Sequence, residues 1–227
     1  AHKRAYAIIH TKLGKSVEVG YANNAISLMS YSFSFFDYVY MRISDYLWNH
    51  FFYTLTRGTH DFIGINYYFH QRIMATDNWS IGRLVDVKNE KREFSDMGWE
   101  IYPHGVFEAL VRLKKHKLPV YITENGIAAL NDDKRIRFIV GHVKELYHAI
   151  QSGVDVKGYF YWSLLDNFEW HEGFSPRFGM IGVNYHNGDR NPHLSAEVFS
   201  KIAKDNGITH DTMIYLGHQV TKKCEHY

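Results

Sequence analysis

The stretch Val120-Tyr121-Ile122-Thr123-Glu124-Asn125-Gly126 decides the fold. Its apolar and β-branched residues predict a short buried strand, which ends on the carboxylate of Glu124 and then on a turn pair. A strand that delivers a carboxylate at its C-terminal end is typical of a (β/α) barrel, where catalytic groups occupy that position. The alternative for Glu124 is a solvated loop charge or a helix cap, because acidic residues are common just after strands.

Three other segments predict strands, namely Val17–Tyr21, Asp61–Tyr68 and Val156–Leu164. Helical patterns lie around them, at residues 1–13, from Asp37 to about 53, from Pro103 to about Lys117, at 133–151 and at about 195–206. Residues 75–98 and 165–192 are predicted to be long loops. The alternation of helices and strands predicts an α/β fold with a parallel sheet and right-handed crossovers. Four strands cannot close a barrel, so the chain is either an open sheet or half of a (β/α)8 barrel.

Composition narrows the function classes. The formal net charge is +2 and no Lys/Arg block dominates any segment, so no nucleic-acid partner is expected. No apolar run is long enough for a membrane span, so no membrane partner is expected either. The fifteen histidines are scattered without metal-ligand spacing, so neither a metal nor a cofactor is expected. Cys224 has no partner for an internal disulfide and no signal-like segment opens the sequence, which together favour a cytoplasmic location.

Several sequence motifs, in their order and spacing along this chain, resemble those of glycoside hydrolase family 1, the β-glucosidase and β-galactosidase family. The resemblance is to the C-terminal half of that family's sequence. The matching runs are DFIGINYY at 61–68, VYITENG at 120–126, GVDVKGYFYWSLLDNFEW at 153–170 and RFGMIGVNY at 177–185. The resemblance implies a TIM (β/α)8 barrel of which this chain supplies roughly strands five to eight. Residues 1–227 would then form the C-terminal half of one catalytic domain, with 207–227 as a C-terminal tail, and the N-terminal half would be absent from this chain.

The resemblance also implies roles for residues near the reacting bond. Glu124 would be the nucleophile of a retaining glycosidase, and Tyr68 would donate a hydrogen bond to it. Asn66 would lie near the reacting sugar, which suits a polar residue inside an otherwise apolar strand. The alternative for Tyr68 is an ordinary core tyrosine, since its neighbour Tyr67 must face the opposite side of the strand and pack.

A second set of residues is implied to bind substrate. Trp162 would form a stacking platform for the sugar, Glu169 would accept hydrogen bonds from its 4- and 6-hydroxyls, and Trp170 would donate to a neighbouring hydroxyl. Phe178 would close the pocket near the sugar's C6. The carboxylate of Glu169 would repel a phosphate, so a phosphorylated substrate is not expected.

The sequence departs from the family pattern because it lacks the motif that carries the family's acid/base glutamate. No Asn-Glu-Pro run is present, and Asn89-Glu90-Lys91 lies in a polar loop. The expected function is a retaining exo-β-glycosidase that hydrolyses β-glucosides, with β-galactosides and β-fucosides as further substrates. An N-terminal half, as a preceding segment or a second chain, would be the partner that supplies the acid/base glutamate. The alternative is a non-catalytic sugar-binding or assembly module derived from the same fold.

The segment from residue 31 to residue 53 is unusually rich in aromatic side chains, with eleven of them. The favoured interpretation is that they pack the predicted helix against the sheet. The alternative is an exposed aromatic surface that binds a partner, an apolar ligand or a planar cofactor.

Overall fold

The computed structural model describes residues 1–75, 83–85 and 92–217 of the chain, and only the backbone of 83–85. The expectations for Asn89-Glu90-Lys91 and for Cys224 lie outside the described residues. None of the described helices is long and apolar enough to cross a membrane.

The main helices and strands follow the predicted order, with additional short strands and a short helix, α7, in the predicted C-terminal tail. The helices are α1 His2–Leu13, α2 Phe35–Asp45, α3 Phe51–Leu55, α4 His104–Leu113, α5 Asp132–Gln151, α6 Leu194–Asp205 and α7 His210–Met213, with a π-helical turn, Tyr46–His50, joining α2 to α3. The strands are β1 Gly20–Ser30, β2 Phe62–Met74, β3 Arg83–Val85, β4 Val120–Asn125, β5 Val156–Tyr161, β6 Ile181–Val183 and β7 Arg190–Pro192.

Four strands pair in parallel in the order β1-β2-β4-β5, which confirms the predicted parallel sheet. β3 folds back antiparallel on β2, and β6 and β7 form a separate antiparallel pair. Because parallel strands run in the same direction, the C-terminal ends of β2, β4 and β5 meet at one edge, the position of a barrel's active site. β3 lies within the predicted loop at 75–98, and β6 and β7 lie within the predicted loop at 165–192. The sequence did not predict these three short strands.

The main core lies between the sheet and the helices α4 and α5. Ile63, Ile65 and Ile122 are fully buried there with Leu110. Tyr67 is also fully buried and donates a hydrogen bond to the carbonyl of Tyr102 at 3.0 Å, which confirms that it packs away from the site. Alternate residues of β2 and β4 are thereby left to face the opposite side of the sheet.

Helix α5 begins and ends as its sequence indicates. The Asn131 side chain accepts hydrogen bonds from the backbone N–H groups of Asp133 and Lys134, at 2.9 and 3.4 Å. Gly153, with φ of 83°, takes the left-handed conformation that follows the last turn. The predicted helix at 133–151 is therefore confirmed to within one residue.

The predicted first strand, Val17–Tyr21, is displaced. The strand begins at Gly20, paired with Phe62, and continues to Ser30. Asn23 lies inside this strand, paired with Ile65 of β2, and its side-chain amide donates to the carbonyl of Trp48 at 3.1 Å. A polar pair at 23–24 is not a strand signal, so the sequence pattern placed the strand too early and made it too short.

The favoured interpretation of the aromatic-rich segment is wrong for most of its side chains. Met41 and Tyr53 are buried, but many large apolar side chains between residues 33 and 55 are exposed. Six of these define what we call the apolar face: Phe35, Phe36, Ile43, Leu47, Trp48 and Phe52. The inward side of the segment also carries buried polar side chains, of which Asn49 bonds the backbone of Ile26 in β1.

Candidate functional site

The site is built where the C-terminal end of β4 lies beside β2. Asn66 of β2 and Glu124 of β4 are partners in the strand register, just after a shift of that register at Ile65. Such an irregularity redirects side chains locally, and here it follows the last regular pair, Ile65 with Ile122. Asn66 therefore lies beside the C-terminal end of β4 as the sequence predicts, although β2 continues to Met74 and does not end at the predicted Tyr68.

Tyr68 and Glu124 are in direct contact. The Tyr68 hydroxyl donates a hydrogen bond to Oε2 of Glu124 at 2.6 Å. Burial raises the pKa of the Tyr68 phenol well above its ordinary value, and the hydrogen bond to Glu124 raises that pKa further. The phenol therefore remains a protonated donor at any ordinary pH, and its hydrogen bond fixes the position of the Glu124 carboxylate.

Hydrogen bonds that the sequence did not predict hold the residues on either side of Glu124. Thr123 Oγ1 lies 2.6 Å from Oδ1 of Asn66 and so fixes the Asn66 amide. The Asn125 amide donates to the carbonyl of Tyr67 at 2.6 Å, and its Oδ1 accepts from the Tyr159 hydroxyl at 2.7 Å. Asn125 thus ties β4 to β2 and β5. The signal for these residues was the pair of polar side chains that flanks Glu124 within an apolar strand.

Trp162 follows β5 and is drawn close to the turn after Glu124. Its backbone N–H donates to the carbonyl of Asn125 at 3.0 Å, and its peptide bond to Ser163 is cis. Gly126 permits this approach, because a Cβ atom on that residue would overlap the carbonyl oxygen of Trp162. The Gly126 of the quoted stretch therefore has a packing reason that the sequence alone did not reveal.

Glu169 shares the site with Glu124. Burial raises the pKa of the Glu169 carboxyl, a hydrogen bond from the Trp162 side chain opposes that rise, and the charge of Glu124 adds to it. Trp170, next along the chain, exposes 78% of its surface and has a positive φ of 48°. The structure thus brings Trp162, Glu169 and Glu124 together and leaves the Trp170 side chain open to solvent.

Phe178 lies behind Tyr68 and is only 2% exposed. Its ring meets that of Tyr68 edge-on, with centroids 6.4 Å apart, and lies at the same distance from the ring of Trp99. Trp99, which the sequence analysis did not select, is 5.7 Å from the Tyr68 ring. The two side chains form an apolar wall that fixes the phenol, while a contact of Phe178 with the sugar remains a prediction.

The donor set at this edge is suited to a neutral polyhydroxylated ligand. Two carboxylates accept hydrogen bonds, two indoles offer faces and N–H donors, and one phenol orients a carboxylate. No cluster of three or more His, Cys, Asp or Glu side chains within the described ranges has the geometry of a metal site. The carboxylates at this edge can act as nucleophiles or as acceptors for hydroxyl groups.

Comparison with known proteins assigns the family. The model of glycosyl hydrolase family 1 matches residues 20–208, which include the whole parallel sheet and the site. The chain belongs to glycosyl hydrolase family 1. This confirms the resemblance that the motifs at 61–68, 120–126 and 153–170 indicated.

Individual family 1 relatives match over part of their length. A 1,4-β-D-glucan glucohydrolase of Thermotoga neapolitana is 41% identical over 160 residues, covering 66% of this chain and 36% of that protein. A β-galactosidase of Sulfolobus acidocaldarius is 33% identical over 240 residues, covering 92% of this chain and 47% of that protein.

A solved structure supports the same fold. The β-glycosidase from Pyrococcus horikoshii superposes with a TM-score of 0.85 at 35% identity, covering 93% of this chain and 54% of that one. The chain therefore spans about half the length of that structure and less than half of the two curated relatives.

Proposed function

We propose that this chain carries the nucleophile of a retaining exo-β-glycosidase. The observation that carries the proposal is the 2.6 Å hydrogen bond from Tyr68 to Glu124 at the C-terminal end of β4. A nucleophilic carboxylate must be held in place for attack, and the hydrogen bond from a phenol that stays protonated does this. The names of the family 1 relatives, β-galactosidase and glucan glucohydrolase, support a β-glycoside substrate.

The proposed reaction has two displacement steps. Glu124 attacks the anomeric carbon as the bond to the leaving oxygen breaks, and a carboxylic acid protonates that oxygen. Water then attacks the same carbon, the glycosyl ester to Glu124 breaks, and the water's proton passes to the same acid/base group. The second carboxylate must lie roughly 5–5.5 Å from the first for this geometry.

The acid/base carboxylate is proposed to come from an N-terminal half of the barrel. In this proposal β1, β2, β4 and β5 are strands five to eight, and residues 1–227 are the C-terminal half of one catalytic domain. The support is that the chain covers 54% of the superposed glycosidase and that its four strands form a sheet with two outer edges, β1 and β5. A preceding segment or a second chain would pair with those edges.

Glu169 and the two indoles are proposed to recognise the sugar. Glu169 would accept hydrogen bonds from two hydroxyls, Trp162 would stack on the sugar's apolar face, and exposed Trp170 would donate its indole N–H. Asn66, which is held by Thr123, would contact the sugar bound to Glu124. The charge of Glu169 beside Glu124 supports an unphosphorylated substrate, because both carboxylates repel a phosphate.

A sugar-binding or assembly module is the second candidate. The observation in its favour is the partial coverage of each relative described above, because the second carboxylate is proposed to come from the part that is not covered. A binder would keep Trp162 and Glu169 but would have no need of the hydrogen bond between Tyr68 and Glu124. The two candidates differ in whether Glu124 forms a covalent bond.

The deciding experiment combines intact mass with covalent trapping. The purified sample is weighed to see whether a preceding segment or second chain is present, and is then incubated with a 2-deoxy-2-fluoro-β-glucoside, which leaves the glycosyl-enzyme intact. An adduct on the peptide that contains Glu124 is expected, lost in Glu124→Gln and retained in the control Glu172→Gln. An adduct on another carboxylate, or none in material containing both halves, would contradict the proposal.

A further inference from the structure

The segment that runs from α2 to α3 has its polarity reversed. Asp37, Asp45, Asn49 and His50 are buried on its inward side, although these are side chains that ordinarily face water. The apolar face, defined above, points outward. A surface helix normally buries its apolar stripe and exposes its charges, so this arrangement requires an explanation.

Buried hydrogen bonds fix the segment in this orientation. Asp45 accepts from Arg112 at 3.0 Å and from Asn49 at 2.9 Å. The Asn49 side chain also bonds both the N–H and the carbonyl of Ile26 in β1, at 3.0 and 2.8 Å. Rolling the helix to bury its apolar face would break these contacts and leave charges unpaired, so the face stays exposed.

The charges around the apolar face are of one sign. Between residues 31 and 55 the only carboxylates are Asp37 and Asp45, and both are buried. The nearby cations Arg42, Arg57 and Lys115 are exposed, and the Lys115 ammonium lies 6.0 Å from the centre of the Tyr46 ring. The surface therefore presents apolar and aromatic side chains beside cations, with no exposed carboxylate within the segment.

We propose that the apolar face binds the surface of an anionic lipid bilayer. Interfacial helices combine aromatic and aliphatic side chains, which enter the boundary of the acyl chains, with Lys and Arg that contact anionic headgroups. The segment 35–55 is about 30 Å long at ~1.5 Å per residue, enough to lie along a bilayer surface. Such binding does not require a membrane-spanning helix.

Vesicle flotation with the full chain tests the proposal. One set of vesicles contains phosphatidylcholine with phosphatidylglycerol, and the other contains phosphatidylcholine alone. The double variant Phe36→Gln/Leu47→Gln is expected to bind the anionic vesicles about tenfold more weakly or worse than the parent. The matched control, Tyr147→Gln/Ile150→Gln, removes two exposed apolar side chains of α5 and is expected to bind like the parent. Arg42→Gln/Lys115→Gln is expected to lose the preference for anionic vesicles.

Three outcomes would overturn the proposal. The parent could fail to float with either vesicle set, or the Phe36/Leu47 variant could bind as tightly as the parent. Alternatively, the face could be a protein interface, either with a second copy of this chain or with an N-terminal half. Sedimentation would then show a complex that the Phe36/Leu47 variant loses, without vesicle binding by the parent. The test involves no turnover, so its result is independent of the proposed catalytic role of Glu124.

Discussion

Two groups of polar side chains in this fold differ in whether both oxygens of the group's carboxylate have a polar partner within the described part of the chain. In the cluster around Asp45, the carboxylate is surrounded by Arg112, Asn49 and His50. At the sheet edge, Glu124 takes one hydrogen bond, from Tyr68, among the described residues. A carboxylate whose surroundings are complete stabilises the fold, whereas one held by a single donor keeps an oxygen available for a ligand. We therefore expect substitutions in the first group to affect stability and those in the second to affect chemistry.

Asp45→Ala is expected to have the largest effect on stability. It removes the acceptor for Arg112 and Asn49 and leaves their polar groups partly buried, at a cost of about 3 kcal/mol in the free energy of unfolding. The control Asp211→Ala breaks the exposed pair with Lys201 and should leave the free energy of unfolding close to that of the parent. Urea unfolding followed by circular dichroism measures the free energy of unfolding of both variants. Equal losses in the two variants would show that the buried ion pair contributes no more to stability than the exposed one.

Gly126→Ala is expected to come next, at about 2 kcal/mol, because the new Cβ would overlap the Trp162 backbone. The strain falls at the site, so binding of a β-glucoside should weaken as well. Gly207→Ala is the control, since a Cβ there would meet only ordinary van der Waals contact. If Gly126→Ala unfolds at the same urea concentration as the parent, the close approach of residue 126 to the Trp162 carbonyl does not limit the side chain at that position.

Acid is expected to destabilise the cluster around Asp45 through His50 and through His116, whose Nε2 lies 3.1 Å from Nδ1 of His50. Burial, followed by the charge of Lys115, lowers the pKa of both His50 and His116 to about 4. Since the unfolded chain protonates near pH 6.5, the stabilisation is fully present above that pH and is lost as the pH falls toward 4. His116→Gln should reduce this loss by roughly 1 kcal/mol, because His116 is only half-buried.

Unfolding free energies measured between pH 7 and pH 4 (roughly the range set by these pKa values) check the assignment. The control His210→Gln changes an exposed histidine and should leave the pH dependence as it is in the parent. Parallel curves for His116→Gln and the parent would show that the pair does not titrate in this window.

Tyr68→Phe is expected to cost about 1 kcal/mol of stability or less, since it removes one hydrogen bond and keeps the ring against Trp99 and Phe178. Its chemical effect should be larger than its structural one, with adduct formation on Glu124 slowed by about tenfold or more. Tyr185→Phe, which removes an exposed hydroxyl, is the control. An unchanged trapping rate would assign Tyr68 a packing role only.

Glu124→Gln is expected to have the smallest effect on stability, because the change is isosteric and the Tyr68 hydroxyl can still donate to the amide oxygen. The unfolding free energy should stay within about 0.5 kcal/mol of the parent while covalent trapping is abolished. A destabilisation as large as that of Asp45→Ala would place Glu124 with the structural carboxylates.

The sequence was sufficient to predict the parallel sheet, the helices that flank it and the strand ends that bring Tyr68, Asn66 and Glu124 together. It did not predict the partners of Thr123 and Asn125, because an alternating pattern indicates which face a side chain occupies and not which atom it meets across the ladder. The register shift at Ile65 is likewise invisible in a pattern of period two.

The orientation of α2 was misjudged for a related reason. Hydrophobic periodicity assumes that the apolar side of a helix is buried, and the aromatic residues of the segment invited that assumption. What decides the orientation is the set of hydrogen bonds from Asn49 to β1 and from Asp45 to Arg112, partners that are distant in sequence. Tertiary contacts of this kind override a local pattern.

The strand order β1-β2-β4-β5 has a consequence for how the chain is made. Each parallel strand pairs with the one synthesised before it, so the sheet can grow from one side as the polypeptide leaves the ribosome. When β4 arrives with Glu124, the strand carrying Tyr68 is already available as its template. The Tyr68 donor is thus synthesised before the Glu124 carboxylate that it contacts. That contact can therefore form as soon as β4 pairs with β2.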